Sequence, residues 1–350
     1  MKIRKAVGKQ SVLFENKVYI RASASVAGKK EGEGPLGECF DYVNEDPYFG
    51  EKTWEKAESK MQEIALELTL KKARLKAEEV GYLLAGDLLG QLIATSFGVA
   101  RFGIPFFGVY GACSTMGETM ALASMLVESE YAQTAVALTS SHFASAEKQF
   151  RFPLDYGNQR PQSATWTVTG SAGVVLTSQK CEYNLVSGRK SVVVKGITTG
   201  KIMDYGIKDS MNMGACMAPA AANVIMANLK DFNVDVTHYD KIITGDLGYV
   251  GSKILKDLLA KEDINLTNHM DCGIEIYDNS LQDTHSGGSG CGCSGLVLSS
   301  FVLRKLCRGD YKRVLFIPTG ALLSPVSFNE GNTIPSIAHG IIIEGEENGV

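Results

Sequence analysis

One order of elements occurs twice along these 350 residues, and a chain that repeats itself in this way must fold as two like halves. Val80-Gly81-Tyr82-Leu83-Leu84-Ala85-Gly86-Asp87-Leu88 reads as a buried strand ending in Gly-Asp-Leu, and Tyr239-Asp240-Lys241-Ile242-Ile243-Thr244-Gly245-Asp246-Leu247 repeats that ending. Each follows an amphipathic stretch and leads into a helix-like segment, Gln91 to Gly103 and Gly251 to Lys261. The first half continues with Cys113, a helix of small residues and the strand Thr134 to Ser141. The second offers Gly288-Ser289-Gly290-Cys291-Gly292-Cys293-Ser294, another small-residue helix and the strand Arg313 to Gly320. Both close on a Gly-led apolar run, Ala172-Gly173-Val174-Val175-Leu176 and His339-Gly340-Ile341-Ile342-Ile343. Strands alternating with helices predict mostly parallel sheets covered on both faces. The spacing places one half in residues 1–180 and the other in 181–350.

Within the first half the stretch richest in chemistry is Tyr110-Gly111-Ala112-Cys113-Ser114-Thr115-Met116-Gly117. The β-prone run Ile104 to Tyr110 precedes it. Met116, Met120, Leu122, Met125 and Leu126 follow at helical spacing. A cysteine at such a junction is expected to meet free helix N–H groups and the positive end of the helix dipole, which favour thiolate over thiol. That is the construction of an acyl-transfer nucleophile.

Composition narrows the partners. A net charge of −4 gives no electrostatic reason to expect nucleic acid. Eight dispersed cysteines without a C-x-x-C pair point to a reduced, intracellular compartment, not a disulfide scaffold. Cys291-x-Cys293 lacks the second pair that a zinc site needs, so no metal is expected. No uncharged apolar run reaches the roughly 20 residues of a membrane span, and Met1 to Lys5 lacks a signal peptide's apolar core.

A duplication with a cysteine at the first central helix resembles the thiolase-like superfamily, in its ketoacyl-ACP synthase III branch. The implied fold class is α/β, two similar five-layered αβαβα halves, paired as a homodimer. Longer segments carry a narrower resemblance. Gly34-Pro35-Leu36-Gly37, Leu84-Ala85-Gly86-Asp87-Leu88-Leu89, Gly111-Ala112-Cys113-Ser114-Thr115, Thr139-Ser140-Ser141-His142, Ala146 to Pro153 and Thr319-Gly320-Ala321-Leu322-Leu323-Ser324-Pro325 are similar to the sporulation family termed stage V AD, over nearly the whole chain. That resemblance implies binding of pyridine-2,6-dicarboxylate (dipicolinate) and its uptake into the developing endospore. It implies work beside the other stage V proteins, AA to AF, at the inner spore membrane, where the chain is soluble or peripherally attached. No cofactor is implied, and calcium enters only as the ligand's counter-ion.

Condensing enzymes of this type place His with His or Asn beside the cysteine, to polarise a thioester carbonyl. The resemblance puts Gly245 or Asp246 where the first partner belongs and Ser289 where the second does. A carboxylate there repels an oxyanion. Cys113 therefore reads as a vestigial nucleophile in a non-catalytic binding protein. The alternative is an active acyltransferase using Cys113 with His142 or His339 as replacement partners; His285 is a weaker candidate, and His238 and His269 read as surface residues.

A dicarboxylate needs donors at fixed separation and an apolar wall. Arg151, between Phe150 and Phe152, is the best arginine for a carboxylate, with Arg160 second. Met211 to Pro219 could supply the wall, and Asp87 and Asp246 are oxygen donors suited to any accompanying calcium. The expected ligand-binding set is Cys113, His142, Arg151, Asp246, Ser289 and His339.

Overall fold

A computed structural model describes residues 6–151, 160–181 and 190–347. The main elements of the first half are β1 (Ser11–Gly28), α1 (Trp54–Ala73), β2 (Tyr82–Gly86), α2 (Ile93–Val99), β3 (Phe106–Gly108), α3 (Thr115–Glu128), β4 (Thr134–Ser141), α4 (Phe143–Phe150) and β5 (Gly170–Thr177). The second half supplies β6 (Lys190–Thr198), α5 (Met213–Phe232), β7 (Lys241–Thr244), α6 (Gly248–Ala260), β8 (His269–Asp271), α7 (Cys291–Val297), α8 (Leu303–Arg308), β9 (Arg313–Ile317) and β10 (Gly340–Glu347).

The strand orders repeat. In the first half β1, β5, β4, β2 and β3 lie side by side, antiparallel up to β4 and parallel beyond it. In the second, β6, β10, β9, β7 and β8 do the same. The two half-sheets join through β1, whose later residues pair with β5 and whose earlier residues pair with β6.

Period-two patterning then builds the layers. Leu83, Ala85, Val136 and Leu138 point to an outer core under α1, while Leu84, Ala135 and Ala137 join a central core. In the second half Ile242, Leu315 and Ile317 face the outer helices α5 and α6, and Ile243, Val314 and Phe316 face the centre. The central core holds Met116, Met120, Ala123 and Val127 of α3 with Cys293, Leu296 and Val297 of α7. Helix, sheet, central helices, sheet, helix: the five layers run across both halves together. Leu122 and Met125, which share the helical spacing of α3, are exposed beside the edge of the first half-sheet instead of entering the core.

Local signals end the helices where needed. Thr53 caps α1 by accepting from the Lys56 amide, and Arg74 closes it in the left-handed conformation. Asn212 and Asn233 do the same for α5. Between α7 and α8 a π-helical turn (Leu298–Val302) keeps the central helix continuous.

Candidate functional site

The turn carrying Cys113 pivots on Ala112, a non-glycine residue held at φ 50°. The turn uses its own amides. Ser114 N donates to Gly111 O at 3.0 Å, Thr115 N to Ala112 O at 3.2 Å, and Gly117 N to Ser114 O at 2.8 Å. The Ser114 and Thr115 hydroxyls bond the same Gly111 and Ala112 carbonyls. These amides are therefore spent within the turn, and the expected thiolate is not stabilised. Burial pushes the Cys113 thiol well up, and the neighbouring Asp246 charge adds to the shift. The Gly290 amide is the backbone donor that opposes it.

Asp246 comes from the second half, on the loop between β7 and α6, and is almost fully buried. Oδ1 accepts from the Thr319 hydroxyl at 2.7 Å and Oδ2 from Gly290 N at 2.9 Å. The Cys113 thiol lies against the same carboxylate and interacts with it. Burial raises the Asp246 carboxyl to about 7 despite these donors. Gly290 sits at φ 98°, where a side chain is strained and a Cβ would meet Ser141 Oγ at 2.7 Å. Glycine at this position lets the amide reach Asp246.

Cys113 opens into a small pocket that it shares with Tyr110, Phe150, Arg151, Met213 and Ser289. The cavity volume is about 50 Å³, several times the roughly 10–15 Å³ that one water requires. It suits a compact ligand better than an extended acyl chain. Ser289 arrives by a two-residue parallel pairing, Gly288 with Trp166 and Ser289 with Thr167. Thr167 also lines the pocket, and its place was invisible in the sequence because only this long-range pairing puts it there. Tyr110 belongs to the Cys113 turn, and the fold makes it a wall of the pocket.

Arg151 follows α4. Its Nη1 is paired with Glu147, one turn back, while its Nε is buried and has no hydrogen-bond partner among the described residues. Phe150 lines the pocket beside it, and Phe152 lies outside the described residues.

The other expected residues sit elsewhere. His142 caps α4 with Nδ1 accepting from Ala144 N at 3.1 Å, and its Nε2 lies 2.8 Å from Pro47 O. It lines a separate cavity with Trp54, Phe143 and Trp166. Burial lowers its pKa. His339 faces the Gly200 amide at 3.4 Å, and burial depresses it to about 4. His285 contacts Pro161 O and Asp283 instead of folding back to Ser289. His269 is not a surface residue: it lies in β8, half-buried, 2.8 Å from Thr244 Oγ1, and burial depresses it to about 4. Arg160 bonds Asp283 and lies over the Trp166 ring. Asp87 is engaged within its own loop, by Leu89 N and by Thr95 N and Oγ1.

Solved structures with the same fold include 3-oxoacyl-[acyl-carrier-protein] synthase III from Aquifex aeolicus, with a TM-score of 0.55 at 13% identity over 93% of this chain and 99% of that one. A single-residue variant of Xanthomonas campestris OleA bound with cerulenin gives 0.59 at 15% identity over 95% and 97%. These similarities establish the thiolase-like fold. The Stage V sporulation protein AD of Bacillus subtilis (strain 168) is 43% identical over 341 residues, covering 97% of this chain and 98% of the relative. The family model for stage V sporulation protein AD matches residues 8–344. The chain belongs to the stage V sporulation protein AD family.

Proposed function

We propose that this sporulation protein is a non-catalytic binding protein for dipicolinate, serving uptake of that ligand into the developing spore. The observation that carries the reading is the buried Arg151 Nε, unpartnered on the wall of a compact pocket and able to meet a carboxylate. Phe150 and Met213 give the aromatic ring an apolar wall. Against catalysis stands the Cys113–Asp246 pair, which holds sulfur as a thiol where acyl transfer requires a thiolate.

The assembly proposed is a homodimer joined at the edge of the first half-sheet. β3 ends the strand order, and its Phe106 and Phe107 are 40% and 52% exposed. Leu122, Met125 and Tyr131 extend the apolar face. The opposite end, β8, has Met270 and Asp271 buried. No helix among the described residues is long and apolar enough to cross a membrane, so attachment to the inner spore membrane is assigned to the membrane-embedded stage V partners.

Calorimetry with dipicolinate and intact mass after incubation with acyl-CoAs test the reading. Saturable heat and an unmodified mass are the expected pair. Acylation of Cys113 with turnover, abolished in Cys113→Ser, would establish the acyltransferase alternative instead.

A further inference from the structure

If the pocket holds dipicolinate, its charges do not balance. The Arg151 cation already has an anion, Glu147. Behind Cys113 lies the Asp246 carboxylate, shielded from water. Glu118 presses on the same turn, since a Cβ on Gly111 would stand 2.5 Å from its Oε2. Asp87 acts on Tyr110 from the first-half side. A dianion entering this surround adds charge to a site that is already negative, and in a poorly solvated pocket such repulsion costs far more than in water.

We propose that the pocket binds the dicarboxylate together with one proton, and that Asp246 is the residue that takes it. This deepens the dipicolinate reading and rests on it. In the free protein the Cys113 S–H is directed at Asp246 in this scheme. In the bound site Asp246, protonated from solvent, donates its O–H to Sγ, and the S–H turns to a ligand carboxylate. One proton is gained, and no covalent bond to the ligand is made. The thiol then serves as a hydrogen-bond relay, which accounts for a cysteine kept without catalytic partners.

The neighbouring groups leave Asp246 as the acceptor. Cys113, Cys272 and Cys293 face it, and burial pushes all three thiols well up, so each already carries its proton. Asp271 is committed to four donors: Thr244 Oγ1, Leu247 N, Gly248 N and Ile274 N. Asp87 holds three donors of its own loop. Asp246 accepts from Gly290 N, next to the wall residue Ser289, and stands beside Cys113 of the same wall. Its carboxyl is raised to about 7, where a nearby charge tips it.

The test is titration of the full chain with dipicolinate in calcium-free buffers of different ionisation enthalpy at pH 7.5, repeated from pH 6.5 to 8.5. The expected result is uptake of roughly 0.5 to 1 proton per ligand, with affinity weakening up to about tenfold per pH unit on the alkaline side. Asp246→Asn is expected to bind with uptake near zero and a flat pH profile. Thr319→Val, which removes one donor holding the carboxylate ionised, is expected to move the midpoint upward and supplies the answer should Asp246→Asn not fold. Binding without proton uptake in the wild type overturns the proposal, as does uptake unchanged in Asp246→Asn. So does binding seen only when equimolar calcium is added, since calcium would then supply the missing positive charge. Absence of binding with and without calcium overturns the dipicolinate reading itself, a separate result.

Discussion

Asp87 and Asp246 occupy the same place in the two halves, directly after the glycine at the end of the second strand, yet their carboxylates do different work. Asp87 turns into its own loop, where Leu89 and Thr95 satisfy it. Asp246 reaches out of its loop to Thr319, Gly290 and Cys113, which come from three separate segments. The capping work in the second half passes to Asp271, which accepts from Leu247 N and Gly248 N at the start of α6. Duplication repeats the backbone. What each side chain does then depends on what packs against it.

The comparison breaks first on stability. Asp87→Ala strands three buried donors, and urea unfolding should show a loss of about 3 kcal/mol with dipicolinate affinity retained. A larger loss from Asp246→Ala than from Asp87→Ala would invert the roles assigned to them. On the binding side, Arg151→Ala should weaken dipicolinate by about 2 kcal/mol, roughly thirtyfold, measured by calorimetry. An unchanged affinity would remove Arg151 from the site.

Thiol reactivity sharpens the contrast. Burial holds the Cys113 thiol up and the Asp246 charge adds to it; Asp246→Asn removes that second contribution, so alkylation by iodoacetamide at pH 8 should accelerate about tenfold. Asp87→Asn, whose charge does not reach Cys113 directly, should stay within about twofold.

The smallest effect is the pH dependence of unfolding. Asp246 is raised to about 7, and Glu58, burdened by burial and then by Asp87, to about 8. Both stand above their unfolded values, so the folded state binds more protons between about pH 4 and 8, and stability falls as pH rises. For Asp246 the loss between pH 6 and 8 is about 1 kcal/mol. Melting curves of Asp246→Asn should be flatter than wild type around pH 7, and those of Glu58→Gln flatter towards pH 8. Parallel curves for wild type and both variants would contradict these assignments.

The repeated Gly-Asp-Leu endings, the small-residue helices and the alternating strands made the two halves legible, because strand and helix periodicities are written locally. Arg151 could be chosen from residue type and position and Ser289 from the family resemblance, and both line the pocket with Cys113. His142 and His339 could not be placed: each stands at a strand end, but which way its ring turns depends on partners such as Pro47 and Gly200, far away in the chain. The expected thiolate failed for a similar reason. Whether helix-start amides are free depends on the turn's own hydrogen bonds, and here Gly111 and Ala112 carbonyls consume them.

The sequence by itself determined the duplication, the fold class, the family and the position of the pocket's central cysteine. Those rest on patterns within short windows or along the whole alignment of elements. Only the tertiary structure decided the chemistry of that cysteine. Thr319, Gly290 and Asp246 converge on it from across the molecule, and a buried carboxylate's protonation follows from the donors and dielectric around it, which no local stretch of sequence records.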